Sequence, residues 1–270
     1  MEKVKAYAGL SNNRNMSWYF LPEDGFNFGD WIGPYLFEEM TGKTPLLWQP
    51  RFPSRATVYF TVGSILHTIR RPDVAIVWGS GAISPDRDFP RPRDVLAVRG
   101  PLTREVMMRQ GYRCPQVYGD PAILMPRFYD PAIDFRYCIG IVPHFSHLEE
   151  TKRRFSGRKE IKVVDVRQPV KNVIDDILSC EHVLSSSLHG LIISHSYGRP
   201  AAWIRFELPL VGDGFKFNDY FFAGGIAGEV YPESLSGKES TSTLKAMCSA
   251  APMPDNEKLA AALIDACPFS

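Results

Sequence analysis

The run Cys180-Glu181-His182-Val183-Leu184-Ser185-Ser186-Ser187-Leu188-His189-Gly190 sets three hydroxyls, an imidazole and a glycine after a strand-like segment. An apolar helical stretch, Leu191-Ile192-Ile193 and onward, follows it. A polar strand-to-helix turn aims backbone N–H groups at an anion, and the helix N-terminus favours negative charge there. His189 falls on the first helical turn, placed to donate or accept a proton. Ser185, Ser186, Ser187, Leu188 and Gly190 are thus candidate anion-binding positions, and His189 a candidate acid–base group. The plainer alternative is a serine N-cap box beside a packed histidine.

Other strand ends carry groups of the same kind. Asn27-Phe28-Gly29-Asp30 precedes the first long helix, so Asp30 is either a capping acid or a general base able to take a proton from a sugar hydroxyl. Gly79-Ser80-Gly81 lets backbone approach a ligand closely, although ordinary tight turns use the same residues. Arg99 ends another strand, before Pro101 at a helix start, and either meets an anion or pairs with an acid. Asp120 stands at a strand terminus or turn, and His144 follows Pro143 at the end of the strand Cys138 to Val142. His144 and His147 lack a nearby carboxylate that would complete a metal set, so no metal is expected. Lys216 and Asp219 lie in the aromatic run Phe215 to Phe222, read as either an amphipathic segment or a cleft wall with Lys216 on a phosphate.

Positioning these groups falls to alternating strands and helices. Strands are expected at Lys3–Tyr7, Val58–Val62, Val74–Trp78, Val95–Val98, Cys138–Val142, Lys162–Asp165, His182–Ser185 and Ala201–Arg205. Helices are expected at Asp30–Thr41, Pro101–Gln110, Leu148–Phe155, Val170–Leu178, Gly190–Tyr197 and Glu257–Ala266. Such alternation predicts an α/β fold with parallel sheets. The apolar stripe Val170, Val173, Ile174, Ile177, Leu178 is core. The proline-rich stretch Pro121 to Pro131 reads as a linker, which puts a boundary near residue 132 and gives two halves, 1–132 and 133–270. Ligands of such folds lie at the carboxyl ends of the strands and between the halves.

Composition narrows the classes. With 31 Lys+Arg against 30 Asp+Glu in 270 residues, no overall field draws the chain to nucleic acid. The short basic clusters Arg87 to Arg93 and Lys152 to Lys159 read as solvated faces, with anionic lipid headgroups or a phosphorylated substrate as the alternative. Five scattered cysteines without CxxC spacing point to a reducing cytoplasm. No secretory leader or membrane span is expected, so the reading is a cytoplasmic protein with at most peripheral contact at the inner face of the membrane.

Taken in order, Asn27-Phe28-Gly29-Asp30, Trp78-Gly79-Ser80-Gly81, Val98-Arg99-Gly100-Pro101-Leu102-Thr103, Gly119-Asp120-Pro121-Ala122, Pro143-His144, Ser186-Ser187-Leu188-His189-Gly190 and Lys216-Phe217-Asn218-Asp219-Tyr220 resemble the polysaccharide pyruvyl transferase family. The likeness is to its short bacterial exopolysaccharide ketal-pyruvate transferases. The resemblance implies two Rossmann-like domains facing a cleft in a GT-B-like arrangement, the first on the acceptor side and the second on the donor side. It implies transfer of a pyruvyl group from phosphoenolpyruvate, as co-substrate with no other cofactor, to two hydroxyls of one sugar in a polysaccharide or its lipid-linked precursor. His189 and Asp30 would be catalytic. His144, Ser185, Ser186, Ser187, Leu188, Gly190 and Lys216 would bind the donor. Asn27, Gly79, Ser80, Gly81, Arg99, Asp120 and Asp219 would line the acceptor side or the cleft. Other branches carry arginines where this chain has Ser187 and His144, so phosphate would fall to Lys216, Arg99, His144 and the N–H groups near Ser186.

Two rival readings use the same scaffold. A nucleotide-sugar glycosyltransferase would need an acid for the donor ribose, for which only Glu207 offers itself. A non-catalytic glycan-binding protein would have no use for both Asp30 and His189.

Overall fold

The computed structural model describes residues 15–18, 26–48, 56–206, 212 and 214–269. The expected strand Lys3–Tyr7 and the acid Glu207 lie outside these. Strands β1 (Asn15–Ser17), β2 (Leu46–Leu47), β3 (Val58–Phe60), β4 (Ala75–Trp78) and β5 (Asp94–Ala97) form one parallel sheet in the order β2-β1-β3-β4-β5. Strands β6 (Tyr137–Val142), β7 (Ile161–Val163), β8 (Cys180–Ser185), β9 (Ala201–Arg205) and β10 (Glu233–Ser234) form a second, in the order β10-β9-β8-β6-β7 and again all parallel. Two parallel sheets, each joined through helices, are what the alternation predicted and are compatible with two Rossmann-like units.

Helices supply the connections: α1 (Phe28–Thr41), α2 (Pro101–Arg109), α3 (Leu148–Arg154), α4 (Val170–Leu178), α5 (Leu188–Ser196), α6 (Phe215–Ala223), α7 (Thr241–Ala250) and α8 (Asn256–Asp265). The stripe Val170, Val173, Ile174, Ile177, Leu178 of α4 is buried as its spacing required. Helix α1 ends where Gly42 turns left-handed and its N–H bonds the Glu38 carbonyl.

Pro121–Arg127 is a 3-10 run rather than a linker, and Pro121, Ala122, Ile123, Leu124 and Met125 are buried in it. Ala122, Ile123, Leu124 and Met125 belong to a core cluster that also holds Phe28 and Ile32 of α1, Trp78 of β4, Val173 of α4, Leu191 of α5 and Leu263 of α8. Apolar residues between the prolines, and not the prolines themselves, decide where this segment goes. Helix α8 completes that core. Trp78 Nε1 donates to the Leu263 carbonyl, and the ring of Phe269 meets Phe37, Tyr59 and Trp78 edge-on.

Candidate functional site

The serine turn grows out of strand pairing. β6 and β8 are neighbours, with Val142 opposite Ser185, so the loops leaving both strands meet. The Ser185 hydroxyl lies 2.9 Å from the Val142 carbonyl and 2.7 Å from that of Ser187, and it accepts from the Ser187 N–H. Gly190 permits this, because a Cβ there would stand 2.3 Å from Ser185 Oγ. The Ser186 N–H donates to the Val142 carbonyl, while its hydroxyl accepts from the His144 N–H at 3.0 Å. Ser187 is the N-cap of α5 with extended backbone, yet its side chain makes no capping bond. The turn therefore leaves first-turn N–H groups of α5 without a capping side chain, the arrangement that receives an anion. Leu188 is buried and anchors the helix start in the core.

His189 stands at the centre. Its Nε2 lies 3.5 Å from Oδ2 of Asp120, within ion-pair reach but without a hydrogen bond, and its side chain is 13% exposed. On the other side the ring lies against the backbone of Gly29, where a Cβ would come within 2.5 Å of Nδ1. Asp120 is wholly buried, caps the 3-10 run by accepting from the Ala122 N–H at 3.0 Å, and faces the end of the first sheet near Gly63. A histidine from the second half is thus gripped by two elements of the first. α1 is tied back in turn, since the Phe28 N–H donates to the Val166 carbonyl at 2.8 Å. Asn27 and Asp30 flank this contact, with Asn27 Nδ2 donating to Asp30 Oδ2 at 2.7 Å.

His144 and Lys216 form the other wing. Burial, the Lys216 ammonium and His147 together hold the His144 imidazole down to about 4, so it is uncharged near neutrality. Its Nδ1 lies 2.8 Å from the Ser146 hydroxyl. His144 can therefore offer a phosphate a hydrogen bond but not a resident positive charge, which narrows the role expected of it. Lys216, one residue into α6, is the nearby cation.

Arg99, Asp219 and the glycine loop are placed elsewhere. Arg99 and Asp219 are wholly buried, and Arg99 Nε donates to Asp219 Oδ2 at 2.9 Å. The guanidinium also bonds the Ala82 carbonyl and the Ser64 hydroxyl. Asp219 further accepts from the N–H and hydroxyl of Thr103 at 2.9 and 2.6 Å. Gly81 is flush against Arg99, with a Cβ there only 2.3 Å from Cζ. Gly79, at φ 90°, has Pro121 packed where its Cβ would be. Ser80 is buried and donates to the Gly63 carbonyl. These residues are approached by protein rather than open to ligand, so they brace the site, and Arg99 is withdrawn from the phosphate-binding set. Asp120, read only as one of many cleft residues, emerges as the partner of His189. The signal available was its place between Gly119 and Pro121 at a strand end.

Among the described residues no three His, Cys, Asp or Glu side chains gather as a metal set, and no helix is long and apolar enough to cross a membrane. All five cysteines are free thiols, and burial pushes those of Cys114, Cys180 and Cys248 up to about 12.

The sequence pattern described as "Polysaccharide pyruvyl transferase" matches residues 56–206, and the chain belongs to that family. It is 26% identical over 217 residues to the succinoglycan biosynthesis protein ExoV of Rhizobium meliloti (strain 1021), covering 77% of this chain and 65% of that protein. It is 31% identical over 179 residues to an uncharacterized protein of Acanthamoeba polyphaga mimivirus, covering 63% of this chain and 61% of the relative. The chain spans somewhat under two thirds of the length of these relatives.

Proposed function

We propose that this protein is a ketal-pyruvyl transferase, moving the pyruvyl group of phosphoenolpyruvate onto two hydroxyls of one sugar in a polysaccharide or its precursor. The observation that carries the reading is the His189 ring held between Gly29 and Asp120, beside the uncapped start of α5. Membership of the family and the kinship with a succinoglycan biosynthesis protein support a saccharide acceptor. A GT-B-like cleft between the two sheet units, with the donor on the second, is part of the same reading.

In this scheme the donor phosphate and carboxylate lie at the N-terminus of α5, against the N–H groups after Ser186 and the Lys216 ammonium. His189 gives a proton to the methylene carbon, which leaves C2 as an oxocarbenium-like electrophile. One sugar hydroxyl adds to C2 as its proton passes to a base, for which Asp30 is placed in the first turn of α1. The C2–O bond to phosphate breaks, and the second hydroxyl closes the ketal, its proton leaving with phosphate. Asp120 orients His189 and supplies a counter-charge when the ring carries a proton. Incubation with phosphoenolpyruvate and saccharide acceptors tests the proposal. Phosphate release should accompany a product heavier than the acceptor by a pyruvyl unit less one water, and transfer of a whole sugar from a nucleotide donor would refute it.

A further inference from the structure

A cavity of about 1000 Å³ opens next to this site and is lined by none of the groups given a role above. It is lined by Leu102 and Glu105 of α2, Trp203 and Arg205 of β9, and Phe215 and Asn218 of α6. Its position follows from the sheet. Ser185 is paired with Trp203, so the cavity begins one strand away from the serine turn, at the same carboxyl edge. Phe215 lines it, and the next residue is the Lys216 that acts on His144.

We propose that this cavity is a saccharide subsite that binds a neutral sugar of the acceptor adjacent to the one that receives the ketal. The inference rests on the pyruvyl-transfer reading of the neighbouring site. Its lining mixes flat aromatic faces with hydroxyl-binding groups, the combination that accepts a pyranose, whose C–H face is apolar and whose rim is polar. Tyr231 is 74% exposed, and its hydroxyl donates to Glu229 at 2.6 Å, which holds the ring at the cavity wall. Trp203 is braced from behind, stacked on Phe217 at 4.2 Å. Asn218 bonds both the N–H and the carbonyl of Val230 and so fixes the loop that carries Tyr231. The two carboxylates Glu105 and Glu229 outnumber the one guanidinium, Arg205, so the lining disfavours a phosphate or diphosphate. A purely apolar tail would take those carboxylates out of water without offering them a hydrogen bond of its own. The size suits one or two sugar rings.

The test is calorimetry and saturation-transfer NMR with neutral gluco-, galacto- and manno-oligosaccharides, from mono- to tetrasaccharide, on the full chain. At least one series should bind roughly tenfold tighter when lengthened beyond the monosaccharide, and Tyr231→Ala should remove most of that gain, since an aromatic contact of this kind is worth about that factor. Tyr231 is exposed, so the variant should fold, and Glu105→Gln gives a second probe from another element of the lining. A length advantage absent from every series, or unchanged in both variants, would overturn the subsite. So would binding of a short polyprenyl phosphate that Tyr231→Ala abolishes while no oligosaccharide binds. Phosphoenolpyruvate titrated into the same samples separates the two ideas: its failure to bind sinks the reaction, whereas failure of the length effect alone sinks the subsite.

Discussion

Nε2 of His189 and Oδ2 of Asp120 lie 3.5 Å apart although the residues belong to different halves of the chain. His189→Gln should therefore lower turnover by about 10²–10⁴, the range expected for an acid–base group, with a nearly unchanged melting temperature. Asp120→Asn, which keeps an oxygen for the Ala122 N–H, should lower kcat while sparing the donor KM. Turnover above a tenth of wild type in His189→Gln would move the acid elsewhere, with His144 next.

Gly29 offers a subtler probe of the same pair. A methyl group there would press on His189 Nδ1 from 2.5 Å, so Gly29→Ala should displace the ring without removing it. A misplacement near 1 Å can cost about 10²-fold in rate. Steady-state kinetics beside a circular dichroism melt would check this, and full activity would show that the ring position is not critical.

Lys216→Met should weaken phosphoenolpyruvate binding by roughly one to two powers of ten, as a charge-assisted contact worth about 1.5–3 kcal/mol is lost. The same change removes a cation that holds His144 down, so the His144 imidazole should titrate above its wild-type value of about 4. Histidine NMR titration reads the second effect independently of activity.

Arg99→Met should destabilise the protein by about 3–5 kcal/mol in urea unfolding, because it leaves the buried Asp219 carboxylate without its counter-charge. Replacing both partners, Arg99→Met with Asp219→Leu, should cost less than the sum of the single changes. Strict additivity would show that the two side chains act separately.

His195 is buried, with Nδ1 3.2 Å from the Tyr220 hydroxyl and Nε2 3.1 Å from the Ala201 carbonyl. Burial lowers it from 6.5 to about 4. Between those values the unfolded chain takes up the proton and the folded one does not, so stability present above pH 6.5 drains away as pH falls toward 4. The contribution is up to roughly 3 kcal/mol, and His144 acts in the same direction. Melting temperatures from pH 7 to 4 should fall steeply in wild type and less so in His195→Gln.

Much of this architecture was legible because strands β6, β8 and β9 and the stripe of α4 carry their own periodicity. The serine turn was legible too, since a strand, three small polar residues and a helix follow one another without interruption. Strands β2 and β10, two residues each, have no room for a pattern. Helix α6 hid in the run Phe215 to Phe222, where apolar residues on every face mask the helical period. The pairing of Arg99 with Asp219 was invisible for another reason. It joins positions 120 residues apart, and only the fold says which acid an arginine will find. Asp120 was missed as the partner of His189 on the same grounds.

The bond from Trp78 to Leu263 spans 185 residues. At synthesis rates of ~5–20 residues per second, β4 waits about ten to forty seconds before α8 can cover it. During that interval the aromatic face of Phe37, Tyr59 and Trp78 has no Phe269 to close over it, so the nascent chain presents a chaperone with its first sheet half-dressed. A ribosome-stalled chain ending before α8 should accordingly bind a hydrophobic dye that the finished protein excludes.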